Sequence, residues 1–143
     1  QCPYVLLIRK GTFEPYDLKN KIKTNYDLNR EGAIKKIIDL IDPNDIIVAT
    51  TGKTSREVFE YRVEKGMGHE KDFLTVGGMG HANQIALGIS IAKPERKVFC
   101  IDGDGAVLMH TGAMGIIGDV KPKNFKHIII NNGAHDSVGG QPT

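Results

Sequence analysis

Lys97-Val-Phe-Cys-Ile-Asp-Gly-Asp-Gly-Ala106 and, further along, His127-Ile-Ile-Ile-Asn-Asn-Gly133 decide how this chain folds. Each is a short, continuous apolar run of strand length that ends in a glycine- or asparagine-rich turn. The same device stands at Ile46 to Thr50, followed by Thr51-Gly52-Lys53 and a helical stretch from Ser55 to Lys65. It recurs at Phe73 to Val76, followed by Gly77-Gly78-Met79-Gly80 and helical apolar spacing from His81 to Ala92. After Gly105, Ala106 to Ile117 also reads as a helix. Continuous apolar strands that alternate with helices are buried on both faces, which predicts an α/β fold with a mostly parallel sheet and helices on both faces. In such sheets ligands bind at the carboxyl ends of the strands, where all the glycine clusters fall.

Upstream of these units, Asn29 is placed to cap a helix whose Ala33, Ile34, Ile37, Ile38 and Ile41 share one face. Asp42-Pro43-Asn44-Asp45 stops it. Tyr4 to Arg9 reads as a further strand, and Gly11 to Leu28 as a connector without periodicity. The expected organisation is therefore a lead-in over residues 1–28 and one domain over residues 29–143. A helix should cover the last strand, yet the sequence reaches only Gly139-Gly140-Gln141-Pro142-Thr143, so truncation at the C-terminus is expected.

The 143 residues suffice for one core of moderate size. A net charge of +2, with Lys and Arg scattered among Asp and Glu, gives no basis for nucleic acid or an anionic membrane as partner. No apolar run approaches the roughly 18–20 residues of a membrane span. The two cysteines, Cys2 and Cys100, form neither a metal-ligand spacing nor a disulfide framework, which fits a reducing cytoplasm.

The chemistry lies in the two opening stretches. Asp104 ends one strand and Asn131-Asn132 the next, and a right-handed crossover brings the two loops side by side. One carboxylate, one amide oxygen and a nearby backbone carbonyl are too few for calcium. They suit magnesium, which takes its remaining ligands from water and phosphate oxygens. The amides of Gly105 and Ala106 can point at the same phosphates. Two other readings fail. Gly52-Lys53-Thr54 is the tail of a P-loop, but Ile47 stands where its first glycine belongs. Asp102 and Asp104 would begin an EF-hand loop, but Ala106 holds the third ligand position and the Glu at position twelve is missing.

Gly103-Asp104-Gly105 followed at this distance by Asn131-Asn132 resembles the signature of thiamin diphosphate-dependent enzymes. The resemblance implies a thiamin diphosphate-binding fold, with Mg2+ held by Asp104, Asn132 and the Ala134 carbonyl. It also implies diphosphate contacts from Gly103, Gly105 and Ala106, with Thr51 and Thr54 as additional candidates. Phe73-Leu-Thr-Val-Gly-Gly-Met-Gly-His81 is similar to that family's turn one strand earlier. There the Gly77 carbonyl would accept a hydrogen bond from the cofactor's amino group, and Met79 would wedge between its two rings.

The segment from Asn131 to Thr143, with Gly78-Met-Gly-His81 and Arg9-Lys-Gly-Thr-Phe13, resembles the phosphonopyruvate decarboxylases, with the sulfopyruvate decarboxylases close behind. The implied reaction is non-oxidative decarboxylation of 3-phosphonopyruvate to phosphonoacetaldehyde and carbon dioxide. His135 and His81 are the candidate catalytic groups, since both sit in strand-end loops, where a proton-transfer group would be useful. Family members take an activating Glu from a second α/β domain, usually in a neighbouring subunit, and no such domain is found here. The resemblance thus implies a fragment of a longer enzyme, the reading favoured by the early stop and the lead-in, or one subunit of a two-subunit enzyme; a homo-oligomer is expected, with this chain inactive alone. A phosphate-binding module without catalysis is the alternative of a different class.

Overall fold

The computed structural model describes residues 2–15 and 25–143. Its centre is a four-stranded, fully parallel sheet of β1 (Ile46–Ala49), β2 (Asp72–Leu74), β3 (Val98–Gly103) and β4 (Phe125–Ile130), in the order β2-β1-β3-β4. The helices are α1 (Arg30–Leu40), α2 (Lys53–Glu64), α3 (Ala82–Ala92), α4 (Asp104–Met109) and α5 (Gly112–Val120). Strand side chains alternate between faces, and the core divides accordingly. Ile47, Ala49 and Ile101 pack with Ile34 and Ile38 of α1 and Val58 and Tyr61 of α2. Val48, Val98, Cys100 and Phe125 pack on the other face with Ala82 and Ala86 of α3, and Ile117 of α5 joins them. Each fully buried Ile or Val contributes about 1.5–3 kcal/mol, so both layers are needed to hold so short a sheet.

Polar groups fix the ends of these elements. The Asn29 side chain accepts a hydrogen bond from the Gly32 amide at 2.7 Å, the expected cap of α1. Ser55 donates to the Thr50 carbonyl at 2.7 Å and Thr75 to the Ala49 carbonyl at 2.8 Å, which binds α2 and the β2 exit to the end of β1. Asn124 donates to the carbonyls of Ser90, Lys93 and Arg96 and so holds the entry to β4 against the exit of α3.

Three features differ from the sequence expectation. Tyr4 to Arg9 forms no strand: Tyr4 and Leu7 are 92% and 90% exposed. Strand propensity expresses packing on a pleated surface, and neither sheet edge takes up this segment among the described residues. Part of the expected connector, residues 16–24, lies outside the described residues. The single helix expected from Ala106 to Ile117 is two, α4 and α5, parted at His110-Thr111. There the Thr111 hydroxyl bonds back to the Leu108 carbonyl at 3.1 Å and Gly112 follows, a combination that breaks helices. Finally, a small antiparallel pair that the sequence did not suggest, β5 (Ala134–His135) with β6 (Gln141–Pro142), brackets a 3-10 turn at Asp136–Val138.

Of the two thiols, Cys2 is exposed and Cys100 buried. Burial, with the Asp102 charge nearby, pushes the Cys100 thiol far above its ordinary value. Because the thiolate is the nucleophile, a thiol-alkylating reagent should modify Cys2 and spare Cys100 until the protein is denatured. Mass spectrometry of the native, labelled protein checks this, and rapid native labelling of Cys100 would contradict the packing described.

Candidate functional site

Parallel pairing of β1, β3 and β4 brings their carboxyl ends to one edge, and a cavity of about 250 Å³ opens there. Three strand-end segments line it: Thr50 to Thr54 after β1, Gly103 to Ala106 after β3, and Ile130 to Ser137 after β4, with Met79 reaching in from the β2–α3 turn. Asp104, Asn132 and Ala134, expected from distant parts of the sequence, thus line one cavity. Thr51, Thr54, Gly103, Gly105, Ala106, Met79 and His135 line it too. Gly77 and His81 do not; both are exposed beside Met79.

The β3 and β4 loops touch directly. The Asp104 carboxylate accepts hydrogen bonds from the Gly133 amide at 3.1 Å and from the Thr143 hydroxyl at 2.8 Å. The Asn132 amide oxygen accepts from the Ala134 amide at 3.1 Å, and its NH2 donates to Asp136 at 2.8 Å. The Thr143 amide donates to the Gly133 carbonyl at 3.2 Å, so Ala134 and Pro142 face each other as a non-hydrogen-bonded pair and the Ala134 carbonyl points away from the ladder. A carboxylate, an amide oxygen and that carbonyl are an all-oxygen donor set of the kind Mg2+ takes. Gly105 lets the His135 ring lie close, since a Cβ there would come within 2.6 Å of its Nδ1 and the ring would have to shift.

The β1 side of the cavity is formed by the N-terminus of α2. Gly52 caps α2 with φ of +98° and no capping side chain, which leaves the first-turn amides of this 12-residue helix free of side-chain acceptors. Thr51, Lys53 and Thr54 surround that end. With α4 reduced to six residues, α2 is the longer dipole facing the cavity. The buried Thr50 hydroxyl, 4% exposed, lines the cavity and has no hydrogen-bond partner among the described residues. Sequence reading passed over Thr50, although it is the residue that ends the strand, next to Thr51.

Two cations were also missed. Arg56, one turn into α2, lines the cavity, as does Arg30 from the first residue of α1. Glu57 holds Arg30 in place through two hydrogen bonds of 2.8 and 2.6 Å, and that pairing raises the guanidinium's affinity for its proton. Nothing local in the sequence announced Arg30, because its approach depends on how α1 packs on α2.

Residues 50–143 match the family described as thiamine pyrophosphate enzyme, C-terminal TPP binding domain. The chain belongs to this family. Phosphonopyruvate decarboxylase of Streptomyces hygroscopicus is 39% identical over 114 residues, which are 80% of this chain and 27% of that protein. Sulfopyruvate decarboxylase subunit beta of Methanocaldococcus jannaschii is also 39% identical over 114 residues, 80% of this chain and 57% of that subunit. The chain therefore spans between about a quarter and somewhat over half the length of these relatives. A solved structure from Mycobacterium smegmatis, described as a thiamin diphosphate-dependent enzyme, superposes with a TM-score of 0.64 at 19% identity. The match covers 78% of this chain and 22% of that one, and it shows a shared fold. For a TPP-binding domain, the cavity stands where the parallel sheet dictates, and its lining joins an oxygen donor set to the N-terminus of α2. Among the described residues no helix is long and apolar enough to cross a membrane.

Proposed function

We propose that this chain supplies the diphosphate and metal half of the active site of a thiamin diphosphate-dependent 2-keto acid decarboxylase, acting on 3-phosphonopyruvate. The observation that carries the reading is the convergence of Asp104, Asn132 and Ala134 with the α2 N-terminus on one cavity. Residues 29–143 form the binding domain in this reading, and residues 1–28 lead into it. Asp104, the Asn132 amide oxygen and the Ala134 carbonyl hold Mg2+. Thr51, Thr54 and the first-turn amides of α2 take the diphosphate, with Gly103, Gly105 and Ala106 facing it from β3. Met79 would pack against the cofactor's rings, and the Gly77 carbonyl, exposed beside it and outside the lining, would accept from its amino group.

Thiamin diphosphate, when bound, supplies the electron sink that lets carbon dioxide leave a 2-keto acid. The chain's own residues position, exclude water and move protons. His135, half-buried against Gly105, is the candidate proton-transfer group in the cavity; His81 is the second candidate, outside its lining. A second α/β domain or subunit provides the activating Glu, so the chain alone is inactive.

A second substrate, sulfopyruvate, is favoured by the equal identity to the sulfopyruvate decarboxylase subunit. Its name as a beta subunit also supports a separate partner subunit over a fused domain. The enzyme assembled with its second domain should release carbon dioxide from phosphonopyruvate faster than from sulfopyruvate or pyruvate. Preference for sulfopyruvate would move the assignment to the second reading, and preference for pyruvate would defeat both while leaving the cofactor site intact.

A further inference from the structure

Met79 and Asp104 lie on different loops, yet a bound cofactor must meet both at a fixed separation. The structure joins them physically through α4. Asp104 is the first residue of that helix, and His110 follows its last turn, donating its amide to the Val107 carbonyl at 3.2 Å. His110 also begins the next helix, since its carbonyl accepts from the Ala113 amide at 2.9 Å.

Against this junction lies the β2–α3 turn. Gly80 is buried with φ of +87°, and a Cβ on it would lie 2.7 Å from the Ala106 carbonyl oxygen and 2.5 Å from the His110 ring. Only glycine permits that approach. One residue on, the His81 ring packs on the His110 ring with centroids 4.1 Å apart and a tilt of 38°. A third tie runs from Gln84 of α3, whose side-chain NH2 donates to the Ala113 carbonyl at 3.2 Å. The turn that carries Met79 is thus seated on α4 and the start of α5 by backbone approach, ring packing and a hydrogen bond.

We infer that His110 is a positioning residue and that α4 acts as a strut, about 9 Å long at 1.5 Å per residue. One end of the strut places the metal-binding carboxylate. The other, through His110 against Gly80 and His81, places the Met79 turn. The inference rests on the cofactor reading proposed above. It differs from a general role in stability because it assigns His110 to the ring end of the cofactor alone. Misplacement of that turn should leave the diphosphate end untouched.

Two ligands separate the ends: magnesium thiamin diphosphate spans both, while magnesium pyrophosphate reaches only the first. By calorimetry on the assembled enzyme, His110→Ala should bind thiamin diphosphate about tenfold more weakly and pyrophosphate as wild type does. His110→Phe keeps a ring to pack on His81 and should bind both normally, while His110→Gln should behave like the alanine variant. In a Met79→Ala background His110→Ala should cost nothing further, because the two act through one contact. Equal weakening of both ligands, or of neither, would overturn the strut and leave the cofactor reading standing. A wild-type protein that bound pyrophosphate but showed no added affinity for thiamin diphosphate would sink the cofactor reading and this inference with it.

Discussion

Asp104→Ala is expected to lower the affinity for magnesium thiamin diphosphate by on the order of a hundredfold or more, since even the supporting shell of a metal site is worth about 10–100-fold. Asp104 is the one carboxylate in the expected donor set, and a divalent ion facing a diphosphate gains most from the ligand that carries charge. Its carboxylate also organises the site as it stands, accepting from Gly133 and Thr143. Loss of loop order must therefore be separated from loss of metal. Asp104→Asn does this: its amide oxygen can still accept a hydrogen bond from Gly133 or Thr143, but it carries no charge. Both variants should bind weakly, and circular dichroism should show both folded. A chelator should reduce wild-type affinity to the same level and have little further effect on either variant. Magnesium-dependent affinity that survived in Asp104→Asn would remove this residue from the metal site. The α2 N-terminus and Thr51 would then have to carry the diphosphate without it.

The sequence disclosed most where local chemistry and long-range geometry coincide. Continuous apolar runs at Ile46, Val98 and His127 announced buried parallel strands, since strands covered on both faces need no polar alternation. All the observed β-ladders of the main sheet involve them or β2. Asp104 and Asn132 could be placed side by side because a strand–helix–strand crossover has essentially one hand, and β3 does pair with β4 up to Gly103 and Ile130. What stayed hidden depends on packing between distant elements. Arg30 reaches the cavity because α1 lies on α2, and Thr50 matters because it lost every partner on burial. His110 looked like one residue inside a helix, and the break at Thr111 gave it a different role. Tyr4 to Ile8 misled in the opposite way, because an apolar run shows what could pack and not what it packs against. The short β5–β6 pair has only two residues per strand, too few for any periodicity to show.

The second large effect is expected beneath the site. Asp102 is fully buried at the end of β3, and its carboxylate accepts from the Gly103 amide at 3.0 Å. Its other oxygen meets the His127 Nε2 of the neighbouring strand at 3.3 Å. Cys100 adds a third polar group to the same small cluster, but its thiol is held protonated by burial. The Asp102–His127 pair therefore clamps β3 to β4 directly under Asp104. Asp102→Ala would leave the His127 imidazole and the Gly103 amide without their acceptor. Leaving a buried donor without its acceptor costs about 1–3 kcal/mol, and two such losses are a large share of the roughly 5–15 kcal/mol that holds a typical domain folded. In thermal unfolding the midpoint should fall by about 10–20 °C. Asp102→Asn keeps one acceptor oxygen for the Gly103 amide and turns an NH2 toward the His127 Nε2, which accepts it in the Nδ1–H tautomer, so it should lose less. Replacing both members by apolar side chains, Asp102→Leu with His127→Leu, should recover part of the loss, because the buried imidazole is then no longer left without its partner. A midpoint for Asp102→Ala within about 3 °C of wild type, which corresponds to less than about 1 kcal/mol, would show that the pair does not hold the two strands. The alignment of Asp104 with Asn132 would then rest on the β3–β4 backbone ladder alone.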